Sequence, residues 1–166
     1  MGVERHTTKP FDTKRSIRNA LDKKATTQTF ALKSDNLEYK WSNKLERVEV
    51  IRKGIPYGAI EVISEKLNKP LKSVLDLVGL PHANYSKKKA EHLLLGRRDG
   101  EIVLVINELI DYGLEVFNHE GEKFQRWLQK PNLSLGGRSP ESMLDTMTGI
   151  NEVKLCLNRL EFGNLA

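Results

Sequence analysis

The sequence predicts an all-α protein, and three observations lead to that fold class. From Leu37 onward the apolar residues recur at helical spacing, and almost none alternate with polar residues as they do in strands. Glycine and proline fall at the ends of these apolar segments, where helices stop and start. The stretch from Glu101 to Phe117 carries a wide apolar face, which belongs in a core or at a subunit interface.

Four shorter helices are predicted before this stretch. Proline suits the first turn of a helix and glycine suits the residue after the last turn, so these two residue types mark the boundaries. The predicted helices are one with Leu45, Val48 and Ile51 inside and a stop at Gly54; one opened by Pro56, with Ile60, Ile63 and Leu67 inside; one opened by Pro70 and ended by Gly79; and one from about His82 to Leu94. Residues 96–100 then interrupt the helical pattern.

The segment Glu101–Phe117 is the strongest predicted helix. Its apolar surface exceeds what one small domain needs, so we expect residues 100–118 to form the core of a homodimer. On the side opposite the apolar face, an acidic stripe is expected from Glu101, Glu108, Asp111 and Glu115.

The last third of the chain is also predicted to be helical. Ser139 suits the N-cap of a helix and Pro140 its first position. In chain order we expect a helix around Phe124–Gln129, a loop over Pro131–Arg138, a short helix ended by Thr148-Gly149, and a last helix over Val153–Phe162.

Positive charge is concentrated in the first hundred residues. Residues 1–99 hold 21 Lys and Arg against 12 Asp and Glu, whereas residues 120–166 hold six of each. This distribution suggests an anionic polymer as the partner of the first part and a protein as the partner of the second. Residues 1–33 are polar and poor in large aliphatic side chains, so we expect a flexible basic arm there.

The sequence lacks the motifs of several function classes. The four His and one Cys show no metal-ligand spacing, and no Gly-Lys-Ser/Thr loop or hydrolase nucleophile motif is present. We therefore expect no metal, no cofactor and no enzymatic activity. Cys156 lies in an apolar stretch and is expected to be a buried thiol. No segment has the ~18 apolar residues needed to span a bilayer, so we expect a cytoplasmic protein.

The segment Lys69–Lys89 has the spacing of a helix-turn-helix. Such a motif needs two short helices that cross steeply, so its turn is tight and its facing residues are apolar. Gly79 suits the turn, Leu80 the angle between the helices, and Tyr85 the anchor of the second helix. Lys88 departs from the pattern, because it falls where an apolar anchor is usual. The alternative is a pair of structural helices with a lysine-rich exposed face.

A helix-turn-helix over this segment predicts contacts with double-stranded operator DNA. Residues near the start of the second helix meet base edges, and basic residues meet phosphates. Asn84 is the best candidate for reading adenine. Within a DNA-binding region over residues 34–99, the candidate contacts are His82, Ala83, Asn84, Ser86, Lys87, Lys88, Lys89, Arg97 and Arg98.

The most specific signal is a spaced pattern that starts at Trp127. It runs Trp-Leu-x-x-Pro-Asn-x-x-Leu-Gly-Gly-x-x-Pro-x-x-Met-Leu-x-Thr-x-x-Gly. Asparagine can bond the backbone within a turn, and paired glycines permit positive φ or close backbone approach, so the pattern describes a scaffold. Gly149 is expected to reverse the chain into the last helix. The scaffold residues are Trp127, Pro131, Asn132, Leu135, Gly136, Gly137, Pro140, Thr146 and Gly149.

This pattern resembles the toxin-binding domain of the Xre/MbcA/ParS antitoxins, especially the Xre partners of RES-domain toxins. The resemblance covers roughly residues 54–163, because an Xre-like helix-turn-helix and a long apolar helix precede that domain in the family. It implies the antitoxin of a type II toxin–antitoxin system, which binds operator DNA to autoregulate its operon. It also implies that the C-terminal segment covers the active site of a RES-like toxin that consumes NAD.

The resemblance places a toxin-binding domain over residues 119–166. Its working surface is expected at the end of the last helix and in the tail, where an aromatic side chain and a terminal carboxylate can fill a pocket built for a cofactor. The implied toxin contacts are Arg159, Glu161, Phe162, Gly163, Asn164, Leu165 and Ala166.

Two alternatives remain open. The first is a stand-alone helix-turn-helix transcriptional regulator whose C-terminal domain serves only dimerisation. A neighbouring gene for an NAD-degrading or ADP-ribosylating protein would separate it from an antitoxin. The second is a small enzyme, which is disfavoured because the sequence shows no catalytic constellation. Because palindromic operators present two half-sites, we expect a homodimer. The resemblance further implies that this homodimer is part of a larger toxin–antitoxin assembly.

Overall fold

The structure is a computed structural model and describes residues 28–163. In that range the chain forms a β-hairpin and seven α-helices, of which the longest is central to the fold. The elements are β1 (Phe30–Ser34), β2 (Leu37–Trp41), α1 (Lys44–Lys53), α2 (Ala59–Leu67), α3 (Leu71–Leu77), α4 (Tyr85–Ala90), α5 (Arg97–Val116), α6 (Gly121–Gln129) and α7 (Met147–Glu161), with short 3-10 helices at Leu133–Leu135 and Pro140–Met143. The protein is mostly helical, as predicted.

The β-hairpin corrects the prediction of an all-α fold. β1 and β2 pair antiparallel, with Ser34 opposite Leu37 next to the turn. Asp35 and Asn36 form the turn with φ values of 52° and 63°. Positive φ at both central residues is typical of the type I′ turn, whose twist suits a hairpin. On the inner side of the hairpin, Trp41 is only 1% exposed.

The hairpin also shortens the predicted basic arm of residues 1–33. β1 starts at Phe30, so the last residues of that segment belong to the fold. Residues 1–27 lie outside the described range. The hairpin turn packs on the start of α2, where a Cβ on Gly58 would lie 2.7 Å from the Ser34 hydroxyl oxygen. Only glycine permits that approach.

α1 has the predicted end but not the predicted inner face. The Asn43 side chain caps its start, and Gly54 follows its last residue with a φ of 96°. Leu45 is 80% exposed and Val48 is 38% exposed, although both were expected inside. The helix is rotated away from that expectation because Arg47 points at α5 and forms an ion pair with it.

α2 buries the predicted apolar residues. Ile60, Ile63 and Leu67 are at most 1% exposed. The helix starts at Ala59 rather than at Pro56. Pro56 instead forms an isolated bridge with Leu94, which brings the chain that precedes α5 back beside the start of α2.

α5 is the centre of the fold. It begins at Arg97, within the predicted break over residues 96–100, because Gly100 fits inside its first turns against Ile55. Residues 102–110 are all buried, and α5 packs against β1, α1, α2, α6 and α7. Because the chain itself covers this stretch, α5 offers no free apolar face there. The expected role of residues 100–118 in a homodimer stays a prediction.

Two residues of the predicted acidic stripe of α5, Glu108 and Asp111, bind other parts of the fold, whereas Glu115 is exposed. Glu108 is 8% exposed, and its carboxylate accepts hydrogen bonds from the Trp41 indole at 2.6 Å and the Arg47 guanidinium at 2.7 Å. Asp111 accepts a hydrogen bond from the Lys66 ammonium at 2.6 Å. These acids fasten the hairpin, α1 and α2 to α5.

The C-terminal elements differ from the prediction at one boundary. Ser139 precedes the short 3-10 helix Pro140–Met143, close to the predicted start. α7 then runs as one helix, so the predicted end at Thr148-Gly149 and the separate helix from Val153 are wrong. Gly149 lies in the first turn of α7, where the absence of a side chain permits close packing on the preceding loop.

Candidate functional site

The segment predicted as a helix-turn-helix contains two short helices joined by a tight turn. α3 buries Val74 and Leu75. Gly79 has a φ of 70° in the turn, which favours glycine. Leu80 is 8% exposed and Tyr85 is 4% exposed. The predicted packing positions are thus all buried, with glycine at the bend.

α4 is much shorter than the predicted helix from about His82 to Leu94. It spans six residues, because Asn84 before it and His92 after it adopt positive φ values of 64° and 52°. Ala83 and Asn84 therefore lie in the turn before the helix. His82 lies there too, with its Nε2 at 2.7 Å from a carboxylate oxygen of α3.

Two of the three α4 lysines contact the rest of the protein. The Lys88 ammonium lies 3.1 Å from the Tyr57 hydroxyl and 5.2 Å from the centre of the Tyr57 ring. Lys89 forms an ion pair with Glu61. The Tyr85 hydroxyl donates a hydrogen bond to the Tyr57 carbonyl at 3.0 Å. Lys88 thus anchors α4 through its hydrogen bond to the Tyr57 hydroxyl, at a position where an apolar residue is usual.

The other predicted DNA contacts are exposed. Ser86 and Lys87 lie on the outer side of α4, and Lys87 makes a 3.9 Å contact with Glu91. Arg97 and Arg98 are exposed at the start of α5, and no ion pair within residues 28–163 involves them. Lys87, Arg97 and Arg98 are hereafter the exposed cations.

Trp127 belongs to an aromatic cluster that packs α6 on the end of α5. Its ring centre lies 5.8 Å from that of Phe117 and 6.2 Å from that of Phe124. Gly113 of α5 is part of the same contact, because a Cβ there would lie 2.3 Å from the Phe124 ring. The tryptophan of the sequence pattern therefore has a packing role.

The loop after Pro131 is built by the next residues of the pattern. The Asn132 side chain accepts a hydrogen bond from the Ser134 amide at 2.9 Å. Gly136 and Gly137 adopt φ values of 65° and 79°, the positive range that the sequence suggested. Beside them Leu135 is 8% exposed and holds the loop on the core.

The start of α7 uses the remaining residues of the pattern. Thr146 Oγ1 accepts a hydrogen bond from the Gly149 amide at 3.1 Å and caps the helix. A Cβ on Gly149 would lie 1.9 Å from the Met143 carbonyl oxygen. Pro140 is buried under this end of the helix. Gly149 thus serves close packing and does not reverse the chain.

The outer side of α7 carries apolar residues that face water. Leu155 is 46% exposed, Phe162 is 64% exposed, and Arg159 between them is exposed. Spacings of four and three residues place them on one side of the helix and its cap. We call these three residues the α7 face. Sequence reasoning missed Leu155, although its spacing from Arg159 and Phe162 was a signal.

The other predicted toxin contacts divide into three groups. Glu161 is half-buried, and its carboxylate lies 2.6 Å from the Tyr112 hydroxyl of α5. Gly163 is exposed and ends the helix with a φ of 66°. Residues 164–166, which are Asn164, Leu165 and Ala166, lie outside the described range.

No group of three or more His, Cys, Asp or Glu between residues 28 and 163 is placed to hold a metal ion. Cys156 is 4% exposed, and burial raises the pKa of its thiol. Over the same residues, no helix has the length and apolar character to cross a membrane.

Comparison with known proteins matches residues 113–163 to the antitoxin Xre/MbcA/ParS C-terminal toxin-binding domain. The chain is 28% identical over 133 residues to the Prs ADP-ribosylating antitoxin of Sphingobium sp. (strain YBL2), and this match covers 75% of the chain and 84% of the relative. It is 24% identical over 114 residues to the antitoxin Xre of Photorhabdus laumondii, covering 69% and 77%. It is 27% identical over 116 residues to the antitoxin Xre of Yersinia enterocolitica, covering 70% and 78%. The chain is therefore similar to Xre-type antitoxins over about 70% of its length, and residues 113–163 match the toxin-binding domain of the Xre/MbcA/ParS antitoxins.

Proposed function

We propose that the chain neutralises a cognate toxin by placing the α7 face, together with residues 164–166, over the toxin's active site. The observation that carries this proposal is the exposure of Leu155 and Phe162 inside the segment that matches a toxin-binding domain. The resemblance of the sequence implies a RES-like toxin that consumes NAD. One relative is named for ADP-ribosylation, a reaction class that uses NAD.

The α7 face has the chemistry of an interface centre. Removing apolar surface from water contributes about 25 cal/mol per Å², and aromatic and arginine side chains are frequent among the residues that dominate binding. Leu155 and Phe162 supply the apolar area, and Arg159 supplies a charge that can pair with an acid of the toxin. Phe162 directly precedes Gly163, the last described residue, so it lies next to the tail that we propose to enter the active site.

Toxin affinity of point variants tests the α7 face. We expect Phe162→Ala and Leu155→Ala each to weaken toxin binding by about 10- to 30-fold, the range for central interface residues. Deletion of residues 164–166 should reduce inhibition of the toxin further. Leu133→Ala is the matched control, because Leu133 lies in the same domain and is 95% exposed. Unchanged affinity of both α7 variants would refute the proposed surface.

We also propose that residues 34–99 bind operator DNA as a homodimer and so autoregulate the operon. The exposed cations support this, because Lys87 lies on the outer side of α4 and Arg97 and Arg98 lie at the start of α5. Of the three, Lys87 has an acid within 4 Å among the described residues, and that contact with Glu91 is long at 3.9 Å. Lys88 and Lys89 contact Tyr57 and Glu61, so we do not propose them as direct DNA contacts.

Salt-dependent DNA binding tests this part of the proposal. The variant Lys87→Ala/Arg97→Ala/Arg98→Ala should bind an operator fragment more weakly and reduce the slope of log affinity against log salt by roughly 3, about 1 for each phosphate contact. Lys130→Ala, which changes an exposed lysine directly after α6, is the control. A stand-alone regulator would show this DNA binding but would not co-purify with the product of the adjacent gene.

A further inference from the structure

The last turn of α7 is held on α5 by one phenol. The Tyr112 hydroxyl oxygen lies 2.5 Å from Asn158 Oδ1 and 2.6 Å from Glu161 Oε2. Asn158 and Glu161 are three residues apart, so both lie on the side of α7 that faces α5. Leu155 and Arg159 are exposed elsewhere on the helix. We call Tyr112, Asn158 and Glu161 the Tyr112 clasp.

Apolar packing does not reach as far as this turn. Leu157 is the last fully buried residue of α7, whereas Arg159, Leu160 and Phe162 are exposed. The chain has few buried apolar contacts with which to hold its end, and segments of that kind open at low free energy. The Tyr112 clasp therefore supplies the attachment that packing supplies further back in the helix.

The proton count of the clasp favours one arrangement. The phenol has one proton, and the Glu161 carboxylate is the stronger acceptor because it is charged. The Asn158 side chain can donate from its amide nitrogen to the phenol oxygen once its amide is turned, since oxygen and nitrogen have nearly the same shape. Asn158, Tyr112 and Glu161 then form a chain with every short contact satisfied. Burial, followed by the hydrogen bond to Glu161, raises the pKa of Tyr112.

We infer that Tyr112 is a positioning residue for toxin binding, which fixes the direction of the α7 face by holding Asn158 and Glu161 on α5. This inference rests on the proposed function. It reassigns Glu161 from a toxin contact to a residue that orients Arg159 and Phe162. A loosened last turn would leave the interface residues present but without a fixed orientation, and ordering them on binding costs affinity.

The inference is tested by Tyr112→Phe, which removes one hydroxyl and keeps the ring. We expect toxin affinity to fall about 5- to 10-fold and amide hydrogen exchange over residues 158–163 to accelerate, with protection of residues 102–110 unchanged. Tyr39→Phe is the matched control, because Tyr39 is half-buried on the hairpin. Equal affinity of Tyr112→Phe and Tyr39→Phe, with accelerated exchange in the former, would overturn the inference.

Two variants of Glu161 separate orientation from direct charge contact. Glutamine keeps an oxygen that accepts from Tyr112, so Glu161→Gln should recover most of the affinity lost in Glu161→Ala. Equal loss in both would show that the toxin reads the charge and would overturn the reassignment. Phe162→Ala is measured alongside. If Phe162→Ala and Leu155→Ala both bind normally, the proposed function fails; if they weaken binding while Tyr112→Phe does not, only the inference about Tyr112 fails.

Discussion

The two halves of the molecule are attached to the same central helix by different forces. On one side, Glu108 and Asp111 of α5 hold the hairpin, α1 and α2 through buried or half-buried ion pairs and hydrogen bonds. On the other, α6 and α7 pack on α5 through aromatic rings and aliphatic side chains, and one phenol holds the end of α7. The N-terminal half therefore adds charged contacts to its apolar packing, whereas the C-terminal half is attached to α5 mainly by apolar packing.

This difference also explains which surface residues are available to partners. In the N-terminal half, intramolecular contacts involve Lys88, Lys89 and Arg47. The number of cations therefore overstates the positive charge that is available to bind nucleic acid. In the C-terminal half, the core of α7 ends at Leu157 and the apolar residues beyond it stay in water. The apolar residues left outside are the clearer sign of a binding surface there.

The largest expected effect is on the charged attachment. Glu108→Ala would leave Arg47 half-buried without its partner and remove the acceptor of the Trp41 indole. We expect a loss of about 3–5 kcal/mol in the free energy of unfolding, measured by urea denaturation. Glu49→Ala removes an exposed ion pair with Arg52 and should cost at most about 0.5 kcal/mol. Similar losses in the two variants would contradict the charge-dependent attachment.

A smaller effect is expected from a change of shape in the C-terminal half. Gly149→Ala would force the new Cβ against the Met143 carbonyl, so we expect a loss of about 1–3 kcal/mol and weaker toxin binding. DNA affinity should stay the same, because the exposed cations lie in the other half. Gly121→Ala is the control, since a Cβ there meets no atom within 4 Å. If Gly149→Ala were as stable as Gly121→Ala, the close packing at this point would be disproved.

The smallest effect concerns the pH dependence of the N-terminal half. Hydrogen bonds from the Ser42 hydroxyl and amide lower the pKa of Glu46 below its ordinary value of 4.5. A lowered folded-state pKa stabilises the protein above the unfolded-state value, and this contribution disappears as the pH falls through the folded-state pKa. Ser42→Ala should therefore be slightly less stable than the native protein at pH 7, and the difference should shrink below pH ~4. A constant difference from pH 7 to pH 3 would argue against this linkage.

Much of the helical architecture was predictable, because apolar spacing and glycine or proline boundaries are local signals. Gly54, Gly79 and the buried residues Ile60 and Ile63 were found in this way. The hairpin was not predicted although Asp35-Asn36 is a suitable type I′ turn, since its strands are short and the chain after them has helical periodicity. Spacing also could not show that Leu45 is exposed, because the orientation of α1 is decided by the Arg47 ion pair.

The candidate site was predicted in outline and corrected in detail. The pattern from Trp127 to Gly149 located the loop and the capped start of α7, since positive φ and close approach depend on residue type. The role of Gly149 was wrong in one respect, because the residue that it approaches, Met143, is recognisable only in the folded chain. Leu155 was not predicted for the same reason. Its exposure follows from the packing of α7 through Cys156 and Leu157, which only the folded chain shows.

By itself, the sequence determined the mostly helical fold class, the turn positions and the resemblance to Xre/MbcA/ParS antitoxins, since these depend on residue type and short spacing. Only the tertiary structure decided which charged side chains pair within the protein and which apolar residues stay exposed. Lys88 and Glu161 show this most clearly: their partners, Tyr57 and Tyr112, lie 31 and 49 residues away along the chain. Contacts at that separation arise when the helices pack, and no local pattern encodes them.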